Sequence, residues 1–204
     1  MSDLRVMPLL KPTKKLVEKY RREFEDENRA EEEAISEILK LFPNNEDYKG
    51  VLLKCIVINA LYYTQIRAIT NAAKRIMELN IDTALQRGDA QLVDRIAELT
   101  ITTKGGEEKK RRNYSFATKY CSLHQPDLYP IYDNIVDKTL KAYQRQEPFS
   151  SQPFGDLKDY RRFKQVLKEF VNYYDLRGLG FRALDCFLHE YGKEALDKLA
   201  NGTL

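Results

Sequence analysis

The sequence predicts an all-α fold, in one helical domain or in two packed helical lobes. Apolar residues recur at three- and four-residue spacing along most of the chain, which is the pattern of helices with one buried face. No segment shows the alternation of apolar and polar residues that is typical of a β-strand. Prolines, glycines and Asn/Asp clusters interrupt the helical patterns where helix ends are expected.

The composition is that of a globular protein. The chain has 204 residues, of which 43% are hydrophobic and 32% charged, with a formal net charge of +3. The longest charge-free run, Cys55–Ile66, is shorter than the ~20 residues that span a bilayer, and the N-terminus lacks the apolar run of a signal peptide. We therefore expect a cytoplasmic protein with no membrane partner. Because the charges nearly balance, any nucleic-acid-binding surface must be a local patch.

The cysteines and histidines give no metal-binding pattern. Cys55, Cys121 and Cys186 are odd in number and far apart, and only His124 and His189 could add imidazole ligands. This spacing predicts reduced thiols and neither a metal nor a cofactor.

Several helical patterns occupy the first hundred residues. Lys14–Leu41 is long and charged, and its acidic middle indicates either a solvated face or a break between two helices. Tyr48–Ile66 is apolar almost all round, which is typical of a central buried helix. Further helical patterns follow at Arg67–Leu79 and Ala90–Thr100, and Asp82–Gln86 between them is a short turn or helix. We expect residues 1–45 to form a charged helical extension and residues 46–204 one compact unit.

Thr102–Asn113 is predicted to be a loop, because Gly105 and Gly106 break any helix and four basic residues follow. A helix is then expected up to the break at Gln125-Pro126. The remaining predicted elements are a polar connection over Gln144–Gly155, a helix capped by Asp156, a helix over Phe181–Tyr191 and a terminal helix from Gly192 to about Ala200.

Asp133 stands where a new helix begins. Pro126 and Pro130 disfavour helical geometry in the residues before them, so the chain approaches Asp133 in an extended form. Apolar residues then follow at helical spacing up to Tyr143. The orphan N–H groups and the positive dipole end of this helix favour an ionised carboxylate. Asp133 is therefore either a plain helix cap or a placed negative charge.

The stretch YPIYDNIVDKTLKAY around Asp133 resembles the segment that carries the catalytic aspartate in the helix-hairpin-helix (HhH-GPD) superfamily of DNA glycosylases. The longer stretch SFATKYCSLHQPDLYPIYD is similar to a bacterial 8-oxoguanine-DNA-glycosylase-like subgroup. KCIVINALYYTQI and FRALDCFLHEYGKE are similar to an early and a late helix of the same subgroup. Residues 1–45 have no counterpart.

The resemblance implies hydrolysis of the N-glycosidic bond of a damaged or modified base that is flipped out of DNA, in repair or in defence against phage. Asp133 would stabilise the oxocarbenium-like sugar and orient a water. The slot of the Schiff-base lysine in bifunctional members falls at about Ser115, which favours hydrolysis over lyase action. Lys119, one turn later, would be a nucleophile or a phosphate contact, or else a lysine that extends into solvent.

The resemblance also implies a set of binding residues. Asn59, Thr64 and Gln65 lie along the helix that faces the pocket in the glycosylases, where the Asn59 amide would bind a base edge or another helix. Tyrosines of the matched stretches could stack on the base or fill the gap it leaves. The candidates are Tyr62, Tyr120 and Tyr132. The basic run Lys109, Lys110, Arg111 and Arg112 could bind DNA phosphates, or be a solvated loop.

Two departures from the superfamily support other functions. The glycine-rich turn L-P-G-x-G is replaced by KKRRNYS, and the Schiff-base slot has no lysine. A non-catalytic nucleic-acid-binding helical module and a helical protein-interaction domain are therefore the alternatives to a glycosylase.

Overall fold

The computed structural model describes residues 8–102, 105–155 and 157–200, and over these residues the fold is all-α, as predicted. Helices α1 to α6 span Lys14–Glu27, Arg29–Leu41, Tyr48–Leu61, Ile69–Leu79, Asp82–Gln86 and Ala90–Ala97. Strands β1 and β2 span Glu98–Thr102 and Glu108–Arg112. Helices α7 to α10 span Tyr114–His124, Asn134–Gln146, Tyr160–Tyr173 and Phe181–Ala200.

The chain divides into two compact units. The split unit comprises the described residues of 1–27 and 133–204, and the central unit comprises those of 28–132. The predicted boundary between residues 45 and 46 lies inside the central unit, and it stays a prediction. The long charged pattern does break, at Asn28 between α1 and α2, as one of its two interpretations expected.

In the split unit, α10 packs against α1 and α8. The Tyr20 ring of α1 lies 5.8 Å from the rings of both Phe187 and Tyr191, and its hydroxyl donates to Glu194 at 3.0 Å. Edge-to-face contacts of this kind add to the free energy gained from burying the rings. The aromatic core of the unit therefore ties its N-terminal helix to its C-terminal one.

Gly192 lies inside α10, so the prediction that a separate helix starts there is wrong. A Cβ atom at this position would overlap the hydroxyl of Thr139 on α8 and lie 3.0 Å from a methyl of Ile135. The glycine therefore allows α8 and α10 to approach closely, and it does not end a helix.

Helix α9 begins after Asp159, whose carboxylate accepts from the backbone N–H of Arg162 at 3.1 Å. The predicted cap, Asp156, lies outside the described residues. The apolar stripe of this helix is buried, with Phe163, Val166, Leu167 and Phe170 at 0% exposure.

In the central unit, α3 packs against α2, α4 and α7. Asp47 caps α3 by accepting from the Gly50 N–H at 2.8 Å. The helix ends at Leu61 and not at Ile66, because the chain turns with positive φ at Tyr63 (47°) and Gln65 (56°). Helix α4 accordingly begins at Ile69, two residues later than predicted.

Strands β1 and β2 form an antiparallel hairpin, in which Glu98 pairs with Arg112 and Thr102 with Glu108. The predictions of a helix up to Thr100 and of a loop over Thr102–Asn113 are therefore wrong. All five residues of β2 are charged and exposed. The strand therefore has no buried face, and its sequence lacks the apolar alternation that would have predicted it. Leu99 of β1 follows Ile96 of α6 at helical spacing, which made β1 look like a continuation of that helix.

No helix among the described residues combines the length and the apolar character that crossing a membrane requires.

Candidate functional site

Asp133 is the N-cap of α8, as predicted. Its Oδ1 accepts from the backbone N–H groups of Ile135 and Val136, both at 2.8 Å. The residue is extended, with φ −142° and ψ 175°, which agrees with the proline-restricted approach to it. The side chain is only 18% exposed. One carboxylate oxygen is thus fixed by the helix, and Oδ2 is left for another partner.

That partner is His189 of α10, whose Nε2 lies 3.4 Å from Asp133 Oδ2. The other ring nitrogen, Nδ1, lies 2.8 Å from Glu190 Oε1. Glu190 also faces Lys193, whose Nζ is 3.2 Å from its Oε2. Burial by itself raises the pKa of Glu190, but the hydrogen bond and charge of His189, together with Lys193, outweigh it and lower that pKa. An imidazole therefore lies between two carboxylates at the start of α8.

His189 was not among the predicted site residues. Two signals in the sequence could have identified it: it is one of only two histidines, and it lies in the FRALDCFLHEYGKE stretch. Its pairing with Asp133 depends on the packing of α10 against α8, which local spacing does not report.

Lys119 lies on α7 in the central unit and is 9% exposed, so it does not extend into solvent. Its Nζ donates to Ser115 Oγ at 3.1 Å, and the same atom lies 5.8 Å from the centre of the Tyr62 ring. The amine therefore reaches back one turn to the serine at the predicted Schiff-base slot. Lys119 and Tyr62 are two predicted site residues that the fold brings together.

Asn59 organises the turn that follows its own helix. Its Oδ1 accepts from Thr64 Oγ1 and from the Ile66 N–H, both at 2.8 Å, and its Nδ2 donates to the Ile66 carbonyl at 3.3 Å. These bonds hold the turn that contains Gln65 and the 83% exposed Tyr63. The amide thus has a structural role that neither predicted alternative included, and substrate binding by Asn59, Thr64 and Gln65 stays a prediction.

Tyr120 is buried in a polar network of the central unit. Its hydroxyl donates to Asn45 Oδ1 at 2.5 Å. Asn45 Oδ1 also accepts from Lys54 Nζ at 2.8 Å. The Nδ2 group of Asn45 donates to Asp82 Oδ1 at 2.6 Å. Lys54 also donates to the carbonyls of Phe42 and Asn44, and burial lowers its pKa to about 8. This network accounts for Tyr120 without a ligand.

Tyr132 is 5% exposed, and its ring packs 4.8 Å from that of Tyr114. Its backbone N–H donates to the Thr118 hydroxyl at 3.2 Å. Both rings already pack inside the central unit. Stacking of Tyr120 or Tyr132 on a base stays a prediction.

The four predicted phosphate-binding residues, Lys109, Lys110, Arg111 and Arg112, form most of β2, and all are exposed. Arg112 is already engaged: it pairs with Asp94 at 2.5 Å and lies 4.5 Å over the Tyr114 ring. The basic run is therefore a β-strand. It is neither the glycine-rich turn of the superfamily nor the solvated loop that was the alternative.

The described residues hold no group of three or more His, Cys, Asp or Glu side chains that could bind a metal ion. All three cysteines are buried and free. Burial raises the pKa of the Cys55 thiol to about 12, which makes it a poor nucleophile at neutral pH.

The fold and this site define an all-α protein with a carboxylate and an imidazole paired at a helix N-terminus. A family model described as HI_0787_N, an N-terminal domain, matches residues 13–128, and the chain belongs to this family. The match runs from just before α1 to just after α7, so Asp133 and His189 lie outside it.

A Haemophilus influenzae protein named only "Uncharacterized protein" is 41% identical to this chain over 144 residues. The alignment covers 70% of this chain and 66% of the relative, so the chain spans a little under two thirds of the relative's length. No solved structure matches the chain significantly.

Proposed function

We propose that the chain is a DNA glycosylase that hydrolyses the N-glycosidic bond of a damaged or modified base flipped out of DNA, in repair or in antiviral defence. One observation carries the proposal. The Asp133 carboxylate is held by two backbone N–H groups through one oxygen, while its other oxygen is directed to the His189 imidazole.

This geometry suits glycosidic bond cleavage. Departure of the base builds positive charge on the sugar, and a fixed ionised carboxylate nearby stabilises that charge without having to reorganise. The N–H groups and dipole of the helix N-terminus stabilise negative charge at this position. The attacking water loses a proton as it bonds to the sugar, and Asp133 Oδ2 or the adjacent imidazole can accept that proton.

Hydrolysis fits this chain better than lyase chemistry. A lyase needs an amine that forms a Schiff base with the sugar, and the expected slot is occupied by Ser115. Lys119 donates to that serine, which suits a role in orienting a phosphate or the Ser115 hydroxyl.

Replacing Asp133 with Asn tests the proposal. Asparagine caps helices about as well as aspartate, so we expect the free energy of unfolding to change by less than about 1 kcal/mol. The negative charge is lost, so cleavage should fall about 100-fold or more. Duplexes carrying different modified bases would be incubated with the protein, and abasic sites would then be revealed with alkali.

Asp159→Asn is the matched control, because Asp159 is also an N-cap of the split unit. This variant should cleave like the wild type. An active wild type and an Asp133→Asn variant with equal rates would show that Asp133 is not catalytic.

A second candidate function, non-catalytic nucleic-acid binding, is favoured by the hairpin, because four consecutive cations of β2 are all exposed. This function predicts DNA binding that weakens steeply with salt, with no product from any modified base.

A further inference from the structure

A groove lies between α4 and the hairpin of the central unit, with a volume of about 550 Å³. Two hydrogen bonds tie α4 to β1 and to α6. Asn71 of α4 donates to the Thr100 carbonyl, and Arg75 of α4 donates to the Arg95 carbonyl, both at 3.2 Å. The groove is lined by Asn71, Lys74, Arg75, Glu78, Glu98, Leu99, Thr100, Lys110, Arg111 and Arg112.

The lining is strongly basic. It contains five cationic side chains and two glutamates, a net of +3 from 5 − 2. The entire chain also has a formal net charge of +3. The net charge of the groove lining therefore equals the net charge of the whole chain.

Three of the five cations remain available for an anion. Arg75 approaches Glu78 at 3.9 Å, and Arg112 is paired with Asp94 at 2.5 Å. Lys74, Lys110 and Arg111 are exposed and form no ion pair with any described residue. Lys110 and Arg111 are consecutive residues of β2, and both line the groove.

The chemistry of the lining selects among anionic partners. Proteins that bind single strands combine cations with aromatic rings on which bases stack, and none of the described lining residues is aromatic. Spaced cations without stacking surfaces fit the backbone of a duplex, where phosphate contacts set position and affinity.

We infer that this groove binds the phosphate backbone of double-stranded DNA through Lys74, Lys110 and Arg111. The inference shares DNA as the partner with the proposed function, and it uses none of the residues around Asp133. Lys109, which the sequence grouped with the other three cations of β2, does not line the groove, whereas Lys74 of α4 does.

The test measures binding of an unmodified DNA duplex by fluorescence anisotropy between about 50 and 200 mM salt, the range over which phosphate contacts weaken. The variant Lys74→Ala/Lys110→Ala/Arg111→Ala removes three exposed side chains, and its fold is checked by circular dichroism. Each lost phosphate contact should reduce the slope of log K against log [salt] by about 0.9, so the slope should fall by about 2.7. Affinity at low salt should fall by roughly tenfold or more.

The matched control is Lys14→Ala/Lys15→Ala/Lys19→Ala on α1. These lysines line a second groove of about 500 Å³ in the split unit, and their loss changes the net charge by the same amount. The control should keep the wild-type slope. A wild type that does not bind duplex DNA, a triple variant with an unchanged slope, or an equal loss in the control would each overturn the inference.

Two competitors test the nature of the occupant. A single-stranded oligonucleotide or a polyaspartate peptide of equal charge should compete more weakly than the duplex, and equal competition by either would overturn the assignment. The groove variant is tested for binding of unmodified duplex, whereas Asp133→Asn is tested for cleavage. Loss of cleavage in that variant and loss of binding in the groove variant are thus separate results.

Discussion

His124 is a half-buried histidine at the C-terminal end of α7, and its Nε2 has no hydrogen-bond partner among the described residues. Its ring packs 5.4 Å from that of Tyr120. Burial, and then the nearby charge of Lys54, lower its pKa from 6.5 to about 4, against a smaller opposite effect of Asp82. The folded protein therefore resists protonation of this ring over a pH range in which the unfolded chain accepts a proton.

We expect this histidine to make the protein sensitive to acid. Because the pKa of His124 is lowered in the folded state, the contribution of this residue to the free energy of unfolding is fully present above pH 6.5. It is lost as the pH falls towards 4. The loss should be about 2–3 kcal/mol. Urea unfolding at neutral pH and near pH 4 would measure it. His124→Phe should lose less stability than the wild type over this range, and equal losses would contradict the assignment.

At this scale the sequence predicted the residues whose role is local. Asp133 could be identified as a cap because Pro126, Pro130 and the stripe after it are all nearby in the chain. The partner of its Oδ2 could not be predicted, because His189 meets Asp133 only through helix packing. The burial of Tyr120 was also hidden, since eight of the eleven residues of α7 are buried and its sequence shows no single apolar face.

At the scale of elements, the contact between α8 and α10 holds the candidate site together, because Asp133 begins one helix and His189 lies on the other. Gly192→Ala would insert a methyl group where the Thr139 hydroxyl already lies. The better helix propensity of alanine offsets only about 1 kcal/mol of this cost. We expect a net loss of about 1–3 kcal/mol in the free energy of unfolding, measured by urea denaturation.

A double-mutant cycle would test the cause of that loss. Thr139→Ala removes the overlapping hydroxyl, so the pair Gly192→Ala/Thr139→Ala should be more stable than the sum of the single effects. Simple additivity would show that the two helices do not meet at this contact.

Helices could be predicted where their signals are local, as with α8, whose cap Asp133 and following apolar residues are all close in sequence. The β-hairpin could not be predicted, because every residue of β2 is charged and exposed. Its strand conformation comes from pairing with β1 and not from an apolar face. The prediction of a continuous helix through Ile66 failed for a related reason. Asn59 uses its amide to stabilise the turn after α3, and an asparagine in an apolar stretch does not show which partner it will bind.

At the scale of the whole molecule, the central unit is continuous in sequence and the split unit is not. We expect a fragment of residues 28–132 to fold alone, because its hairpin and the Lys54–Asn45–Asp82 network lie entirely within it. A fragment of residues 133–204 lacks α1, whose Val17 and Tyr20 are buried, and should not unfold cooperatively. Circular dichroism and urea titration of both fragments would check this. A disordered 28–132 fragment, or a cooperative 133–204 fragment, would contradict it.

The all-α class was predictable because helical periodicity runs through most of the chain. The division into units was not, because it depends on the contact between the first and last helices, and no local pattern encodes a pairing across that separation. The family match covers residues 13–128. It therefore includes α1 of the split unit as well as most of the central unit.

The same topology has a consequence during synthesis on the ribosome. Chains grow at roughly 5–20 residues per second, so α1 emerges on the order of ten seconds before α10 can pair with it. During that interval the apolar side of α1 has no partner helix from its own unit, while the intervening residues are already free to fold. A nascent chain stalled after residue 132 should therefore be more prone to bind chaperones than the finished protein.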